Sequence, residues 1–431
     1  MGAEDEKTIE DVICTGCAVL CDDIIVVTKN GEITHTYGAC LRGAEIFRSP
    51  KGKNRIQKPA IKSKGRFRSV SLDKALEAAI EILFNAKKPL MYGWGTSSCE
   101  AQKAGIKLAE KLGGVIDGTA SICHGVTLKI IEEELGKGFK SPTLNEILDE
   151  ADLIVYWGSN PADSHSRHLS KYTAFPRGKL TQSGRESRSI ILIDVRKTRA
   201  ARTANIFVQV RPNGDLKLIE GLSEYLSGND LPNNLGGANP EDVKGFANAI
   251  RSAQYGVIFI GLGILQVGGE DTIRSLVRFT SQLNKNGNRF FLMPMIGHAN
   301  MMGLISSMKE LTGFPYGVDF SEKSTAHVTV TDALSDMICD AALIVGSDPF
   351  ANLPHQMVKN LREVPLIVID PNNTLTARNA DVIIPVAITG TEVEGTVIGM
   401  DMTAKRLKKV IEPPENCLTD EEILRRLINM L

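Results

Sequence analysis

ADLIVYWGSNP, residues 151–161, runs an apolar stretch into Gly-Ser-Asn-Pro, and nearly the same phrase returns as AALIVGSDP, residues 341–349. An apolar run of this length, bounded by Gly and Pro, reads as a buried strand ending in a tight loop. Gly158, Ser159, Asn160 and Pro161 align with Gly346, Ser347, Asp348 and Pro349 at an offset of 188. Downstream, DVRKT from Asp194 to Thr198 aligns with DPNNT from Asp370 to Thr374, at an offset of 176. Ala204-Asn205 and Ala380-Asp381 follow in step, each leading into a further apolar run. Upstream, KPLMYGWG and VIDGTASICHG have counterparts in YGVIFIGLGI and NRFFLMPMIGH. Amphipathic helices separate these strands. The fold class is therefore α/β, with two related, doubly wound units built on parallel sheets. Such sheets collect ligands outside the carboxyl ends of their strands. Two walls of one kind suit a ligand with two similar halves.

The repeated loops lack the G-x-G-x-x-G spacing, so a standard nicotinamide site is not supported. Backbone amides freed by Gly and Pro can still face a diphosphate. An Asp closing a later strand, Asp194 or Asp370, can accept from a ribose hydroxyl or a guanine edge. A plain turn is the alternative for each loop taken alone.

CTGCAVLC carries Cys14, Cys17 and Cys21, and Cys40 follows in YGACLRG. Three thiols within eight residues can wrap a cube of iron and sulfide, which the distant fourth closes. A structural zinc site, which usually uses two C-x2-4-C knuckles, and reduced structural thiols are the alternatives. Lys29-Asn30-Gly31-Glu32 reads as a hairpin turn between two strand-like runs, and Asp22-Asp23 as a solvated turn. Ser71 is expected to cap a helix through EIL, and a basic stretch precedes it. SGNDLPNNLGGANPEDV, residues 227–243, reads as surface loop, and the tail as a Gly/Thr loop, a basic strand and a capped helix.

Cys123-His124 in TASICHG lies where a strand end meets a Gly-flanked turn. Buried filler is one reading, and a metal ligand or nucleophile the other. His298 occupies the place the duplication assigns to this segment and is expected to face the same cleft. His165 and His168 are expected to contact phosphate or solvent, and Cys99, Cys339 and Cys417 to be structural.

Lys and Arg number 50 against 51 acids, a net charge of −1, and mean hydropathy is −0.06. This balance argues against nucleic acid as a partner. No apolar run approaches the ~18 residues of a membrane span, and the acidic start argues against a signal peptide. Eight cysteines, half of them clustered, fit a reducing interior, so a cytoplasmic location is expected.

Taken together, CTGCAVLCDDI with Cys40, PLMYGWG, CEAQ, TASICHG, YWGSNP, RHLSK, RKT, GSDP, ADVIIP and GTEVEGT resemble the molybdopterin-dependent oxidoreductases. The resemblance is strongest to the catalytic B subunits of tungsten or molybdenum formylmethanofuran dehydrogenases, over about residues 10–430. It implies a [4Fe-4S] cluster on Cys14, Cys17, Cys21 and Cys40, and tungsten or molybdenum ligated by Cys123. Two molybdopterin guanine dinucleotides would rest on Gly158–Pro161, Gly346–Pro349, Asp194, Arg196, Thr198 and Asp370. Arg42 would stand between cluster and pterin, with His124 and His298 at the active site. The implied domains are 1–68 (iron–sulfur, with linker, joined by strands from the C-terminal segment), 69–226 and 227–390 (pterin nucleotide), and 391–431.

The implied reaction is reversible reduction of carbon dioxide to formate, which an amidohydrolase-like subunit condenses onto methanofuran. Ferredoxin-type subunits would supply electrons. A separate subunit would supply a cap barrel that the chain is expected to lack. One departure stands out: the family places an arginine where this chain has Ile296. Arg167 and Arg185 are candidate replacements. The alternatives are a divergent paralogue with another small substrate, or a cofactor-free scaffold.

Overall fold

In the computed structural model, residues 5–136, 139–284, 289–321 and 326–431 are described. The chain forms two units. One holds residues up to Ile122, His298–Gly399 and Ala404–Leu431; the other holds Cys123–Gly297 with Met400–Thr403.

The second unit is built on a five-stranded, all-parallel sheet. Its order is Ile206–Gln209, Ser189–Asp194, Leu153–Trp157, Tyr255–Ile260, Arg289–Pro294. Both central strands are buried along their whole length, as parallel strands covered on two faces must be. Val155, Ile191, Ile258 and Leu292 of the sheet and Leu218, Phe246 and Leu276 of the helices share one core. Burying each such side chain stabilises the fold by roughly 1.5–3 kcal/mol.

The first unit carries a nine-stranded sheet. Its parallel centre runs Val115–Gly118, Pro89–Gly93, Ala341–Val345, Leu366–Ile369, Val382–Ile384. Successive residues divide between two cores: Met91, Leu343 and Ile367 face one, Leu90, Ala342 and Val368 the other. This is the period of two that a pleated strand imposes. The hairpin Ala60–Ser63 and Arg66–Ser69 extends one edge antiparallel.

The two sheets have the same order, and each is assembled from both copies of the duplication. Val115–Gly118 and Pro89–Gly93 of the first copy join three strands of the second. Tyr255–Ile260 and Arg289–Pro294 of the second join three strands of the first. The expected domains at 69–226 and 227–390 are therefore corrected: residue 227 falls inside the unit Cys123–Gly297. A strand pairs with whichever apolar edge completes its sheet, and here that edge comes from the other repeat.

Local signals agree with the sequence in most places. Asn30 and Gly31 adopt φ of 51° and 77°, the two left-handed residues of a tight hairpin. Ser71 accepts from the Lys74 N–H as the cap of Leu72–Asn85, and Thr419 forms a capping box on Asp420–Asn429. Two readings need correction. The loop expected through residue 243 ends earlier, because Asn239 caps a helix that begins at Pro240. Asp22 is not merely solvated: it pairs with Lys405 at 2.7 Å, so the C-terminal hairpin Gly395–Ile398 and Ala404–Leu407 is tied to the cysteine segment. Ile13, Leu20, Val397 and Leu407 complete that junction.

Candidate functional site

In a doubly wound sheet the crevice opens where the strand order reverses. In the first unit that point lies between Pro89–Gly93 and Ala341–Val345, in the second between Leu153–Trp157 and Tyr255–Ile260. The expected loops follow directly. Gly158 and Gly346 take φ of 60° and 54°. Asn160 and Asp348 share nearly one backbone conformation (φ −119°, ψ 80° against φ −124°, ψ 72°), and Pro161 and Pro349 open matching short helices. The Arg196 N–H donates to Asp194 at 3.1 Å, and the Asn372 N–H to Asp370 at 2.7 Å. The repeat is one of structure as well as sequence.

The sequence reading missed each loop's partner across the crevice. A Cβ on Gly261 would lie 1.8 Å from the Gly158 carbonyl oxygen, and one on Gly93 would lie 2.1 Å from that of Val345. Gly93-Trp94-Gly95 and Gly261-Leu262-Gly263 are thus the opposite walls, and their shared G-x-G after aligned strands was the available signal.

In the first unit, Gly346, Ser347, Asp348 and Asp370 line a cavity of ≈ 280 Å³ together with Thr15, Thr96 and His298. Asp348 itself is tied inward, accepting from the Leu375 and Thr376 N–H groups and the Thr376 hydroxyl. Pro349 is buried at the start of its short helix. Asp370 is buried, which pushes its carboxyl up to about 7; the Asn372 N–H opposes the shift, Asp348 adds to it and Arg55 opposes it. A carboxyl raised on folding favours the fold below its ordinary value near 3.8 and loses that contribution as pH rises through about 7. The ligand-free chain is therefore expected to melt at a lower temperature at pH 8 than at pH 6. Asp370→Asn should shrink that difference in a thermal-shift titration. Part of it should remain, because buried Asp117 and Asp420, both raised to about 6, titrate in the same sense.

The four cysteines of the same unit meet. Cys14 and Cys21 are buried, whereas Cys17 and Cys40 are partly exposed. Burial raises Cys14 to about 12 and Cys17 to about 11; Cys14 also feels the other three thiols, and Cys17 feels Cys21 and Cys40. The Gly16 and Gly43 N–H groups point at Cys14 and Cys40 at 3.4 and 3.5 Å. A Cβ on Gly43 would lie 2.8 Å from Cys14 Sγ and 3.9 Å from Cys40 Sγ, so glycine there keeps the thiols uncrowded. Among the described residues no group of three or more His, Cys, Asp or Glu is poised to hold a single metal ion. Four thiols brought together, with backbone amides toward Cys14 and Cys40, are a donor set that an iron–sulfur cube can use. Arg42, in the helix Leu41–Arg48 that Cys40 caps, lowers both the Cys17 thiol and the His298 imidazole, so its charge reaches both.

The second unit begins with Cys123 and His124, just before the helix Gly125–Leu135. The Cys123 thiol accepts from the His124 and Gly297 N–H groups, while burial raises its pKa. His124 is buried and lowered to about 4, first by desolvation and then by His165; its ring bonds the Met295 carbonyl, and Nδ1 lies 3.4 Å from the Thr127 hydroxyl. His298, expected in the same cleft, belongs to the other unit. His165 and His168 do not face solvent: both are buried. His165 Nε2–H donates to the Ile296 carbonyl at 2.6 Å, and His168 Nδ1 bonds the Tyr156 hydroxyl at 2.9 Å.

Ile296 is fully buried. Of its candidate substitutes, Arg185 is spent on the Arg188 and Thr203 carbonyls, which removes it, while Arg167 is half-buried. Asn160 Oδ1 and Thr198 Oγ1 are buried with no hydrogen-bond partner. Their aligned counterparts Asp348 and Thr374 both accept hydrogen bonds within the protein. A buried orphan acceptor costs about 1–3 kcal/mol, so this pair fits a polar group brought by a ligand. Ser159 is buried in the same loop, and Arg196 is exposed. Cys99, Cys339 and Cys417 are buried, as expected of structural thiols.

Residues 55–430 match the molybdopterin oxidoreductase family. The chain is 36% identical, over 98% of both chains, to the B subunit of the tungsten-containing formylmethanofuran dehydrogenase 2 of Methanocaldococcus jannaschii. Among solved structures, it resembles a chain of the formyltransferase/hydrolase complex from Methylorubrum extorquens, solved with methylofuran. That likeness has a TM-score of 0.65 at 22% identity and covers 86% of this chain and 99% of that one. Acetylene hydratase from Pelobacter acetylenicus resembles it with a TM-score of 0.70 at 14% identity, over 98% of this chain and 69% of that one. The switch-point loops, the duplicated sheets and the end-to-end relative agree: the chain belongs to the molybdopterin oxidoreductases and, within them, to the formylmethanofuran dehydrogenase B subunits.

Proposed function

We propose that the chain is a catalytic subunit reducing carbon dioxide reversibly to formate, with two electrons and one proton. Its centre is tungsten or molybdenum on two molybdopterin guanine dinucleotides and the Cys123 thiolate, fed by a [4Fe-4S] cluster on Cys14, Cys17, Cys21 and Cys40. One observation carries the reading: within one unit the four-thiol cradle adjoins a cavity at the strand ends that Ser347, Asp348 and Asp370 help to line. Thr15, next to Cys14, lines that cavity with His298, and the charge of Arg42 reaches both Cys17 and His298.

When bound, the metal centre would supply the electron pair. The residues of the chain do the rest. Gly158–Pro161 with Asp194, Arg196 and Thr198 would hold one nucleotide tail, and Gly346–Pro349 with Asp370 the other. The fixed charge of Arg42 favours electron passage from the cluster. His124 is neutral at physiological pH with its one ring N–H on the Met295 carbonyl, and would give up that bond to offer a hydrogen to a forming carboxylate. Formate would pass to an amidohydrolase-like subunit for condensation with methanofuran, with ferredoxin-type and cap-barrel subunits completing a cytoplasmic assembly.

The buried Ile296 favours a second reading, a paralogue acting on another small substrate, because a carboxylate-pairing cation is absent from that position. Native complex reduced by a low-potential dye separates the two. Formate made from carbon dioxide, with about four iron and one tungsten or molybdenum per chain, supports the first. Full metal without formate supports the second. A chain with neither metal overturns both and leaves the cofactor-free scaffold. Among the described residues no helix is long and apolar enough to cross a membrane.

A further inference from the structure

Between Glu45 and Asp73 the sequence holds nine cations and no acid, in a chain whose net charge is −1. Arg48, Lys51 and Arg55 find carboxylates in Glu45, Glu32 and Glu392. Lys53, Lys58, Lys62, Lys64, Arg66 and Arg68 meet none among the described residues. Four of these six sit on one hairpin, Ala60–Ser63 and Arg66–Ser69, turned at Lys64-Gly65 with φ of 50° and 76°.

Arg66–Ser69 is the last strand of the nine-stranded sheet, and all four of its residues are exposed. Its register decides which backbone groups are spare. Around a two-residue turn the flanking pair Ser63 and Arg66 is hydrogen-bonded, and bonding then alternates. Arg66 and Arg68 therefore bond inward, as does Val70, whose N–H donates to the Pro59 carbonyl at 3.0 Å. The N–H and C=O groups of Phe67 and Ser69 point outward, unpaired in the sheet. Phe67 is 39% exposed, between two arginines that have no counter-charge.

Lysine on an edge guards a sheet against pairing with a like edge of another copy. The same charges attract an acidic strand, whose own N–H and C=O groups answer both kinds of open edge group, whereas phosphate oxygens would leave the edge C=O groups without donors. We infer that the Arg66–Ser69 edge is a docking surface for a different, acidic polypeptide, which adds an extended strand there and pairs carboxylates with Arg66, Arg68 and Lys62. This rests on the multisubunit reading only for the presence of a partner; its failure leaves metal content and formate production untouched.

The test compares the isolated full chain with the assembly purified from its own cells. Amide exchange at Phe67 and Ser69 is expected to slow at least tenfold in the assembly. Carbodiimide should join Lys62 or Lys64 to an Asp or Glu of another polypeptide. Arg66→Glu with Arg68→Glu should release that polypeptide without changing the chain's melting temperature. Phe67→Pro, which removes an outward N–H together with the exposed ring, should do the same, whereas Phe67→Ala, which removes the ring alone, should retain the polypeptide. Four results would overturn the inference: unchanged exchange; cross-links to the acidic strand Glu6–Val12 of a second copy; a bound species removed by ribonuclease; or a partner retained by Phe67→Pro.

Discussion

Cys123→Ala is expected to leave the chain folded with its iron and to strip it of tungsten or molybdenum. Carbon dioxide-dependent formate production should fall by ~10³-fold or more, beyond the ~10²–10³ typical of losing one transition-state donor. The thiol is only partly buried, and its hydrogen bonds come from the His124 and Gly297 backbone, so removing it disturbs little packing. Burial keeps the free thiol protonated, and only a soft, strongly bound cation displaces that proton. Serine has the same shape but a harder and more basic oxygen, and should rescue poorly. Elemental analysis, run beside activity, is the deciding measurement: a variant that keeps full tungsten or molybdenum would remove Cys123 from the metal. His124→Ala should instead keep the metal and lower the rate by ~10²–10⁴-fold, the usual contribution of a positioned acid or base.

Much of this site was legible because its signals are local. Gly158 and Gly346 announce left-handed turns, and their loops fall at matched strand ends, so the loop of each unit could be placed from the repeat alone. What stayed hidden depends on pairing across long stretches of chain. Nothing near Pro89–Gly93 states that it will join Ala341–Val345 rather than a strand of its own repeat. The exchange of strand pairs, and with it the failure of the sequential domain boundaries, follows from which edges complete each sheet. The histidines erred for a similar reason. His165 and His168 stand in a polar stretch, DSHSRH, yet the first bonds the Ile296 carbonyl and the second packs edge-on to Phe259 at 4.7 Å. Neither partner is near in sequence. Polarity of neighbours predicts exposure only when the chain does not fold back over the segment.

The cluster cysteines offer the second large effect, and one that separates wiring from chemistry. Cys17→Ala is expected to cost the chain its iron, with loss of the cluster's visible absorption, while tungsten or molybdenum stays bound. Electrons from a partner could then no longer enter, and coupled formate production should fall by ~10²-fold or more, the order seen on losing a ligand-shell residue. Cys17 is the informative position because it is partly exposed, so its loss opens no cavity. Gly43→Ala should act in the same direction without touching a thiol, since its new Cβ would press on Cys14 Sγ from 2.8 Å. Cys339→Ala supplies the contrast. That thiol is buried in the core of the same unit, and its removal should cost ~1–2 kcal/mol of stability with iron unchanged. If all three variants lost iron in proportion to stability, the iron would be reporting on folding. Iron loss confined to Cys17→Ala and Gly43→Ala, at an unchanged melting temperature, places the iron at the cysteine cradle that these two positions share.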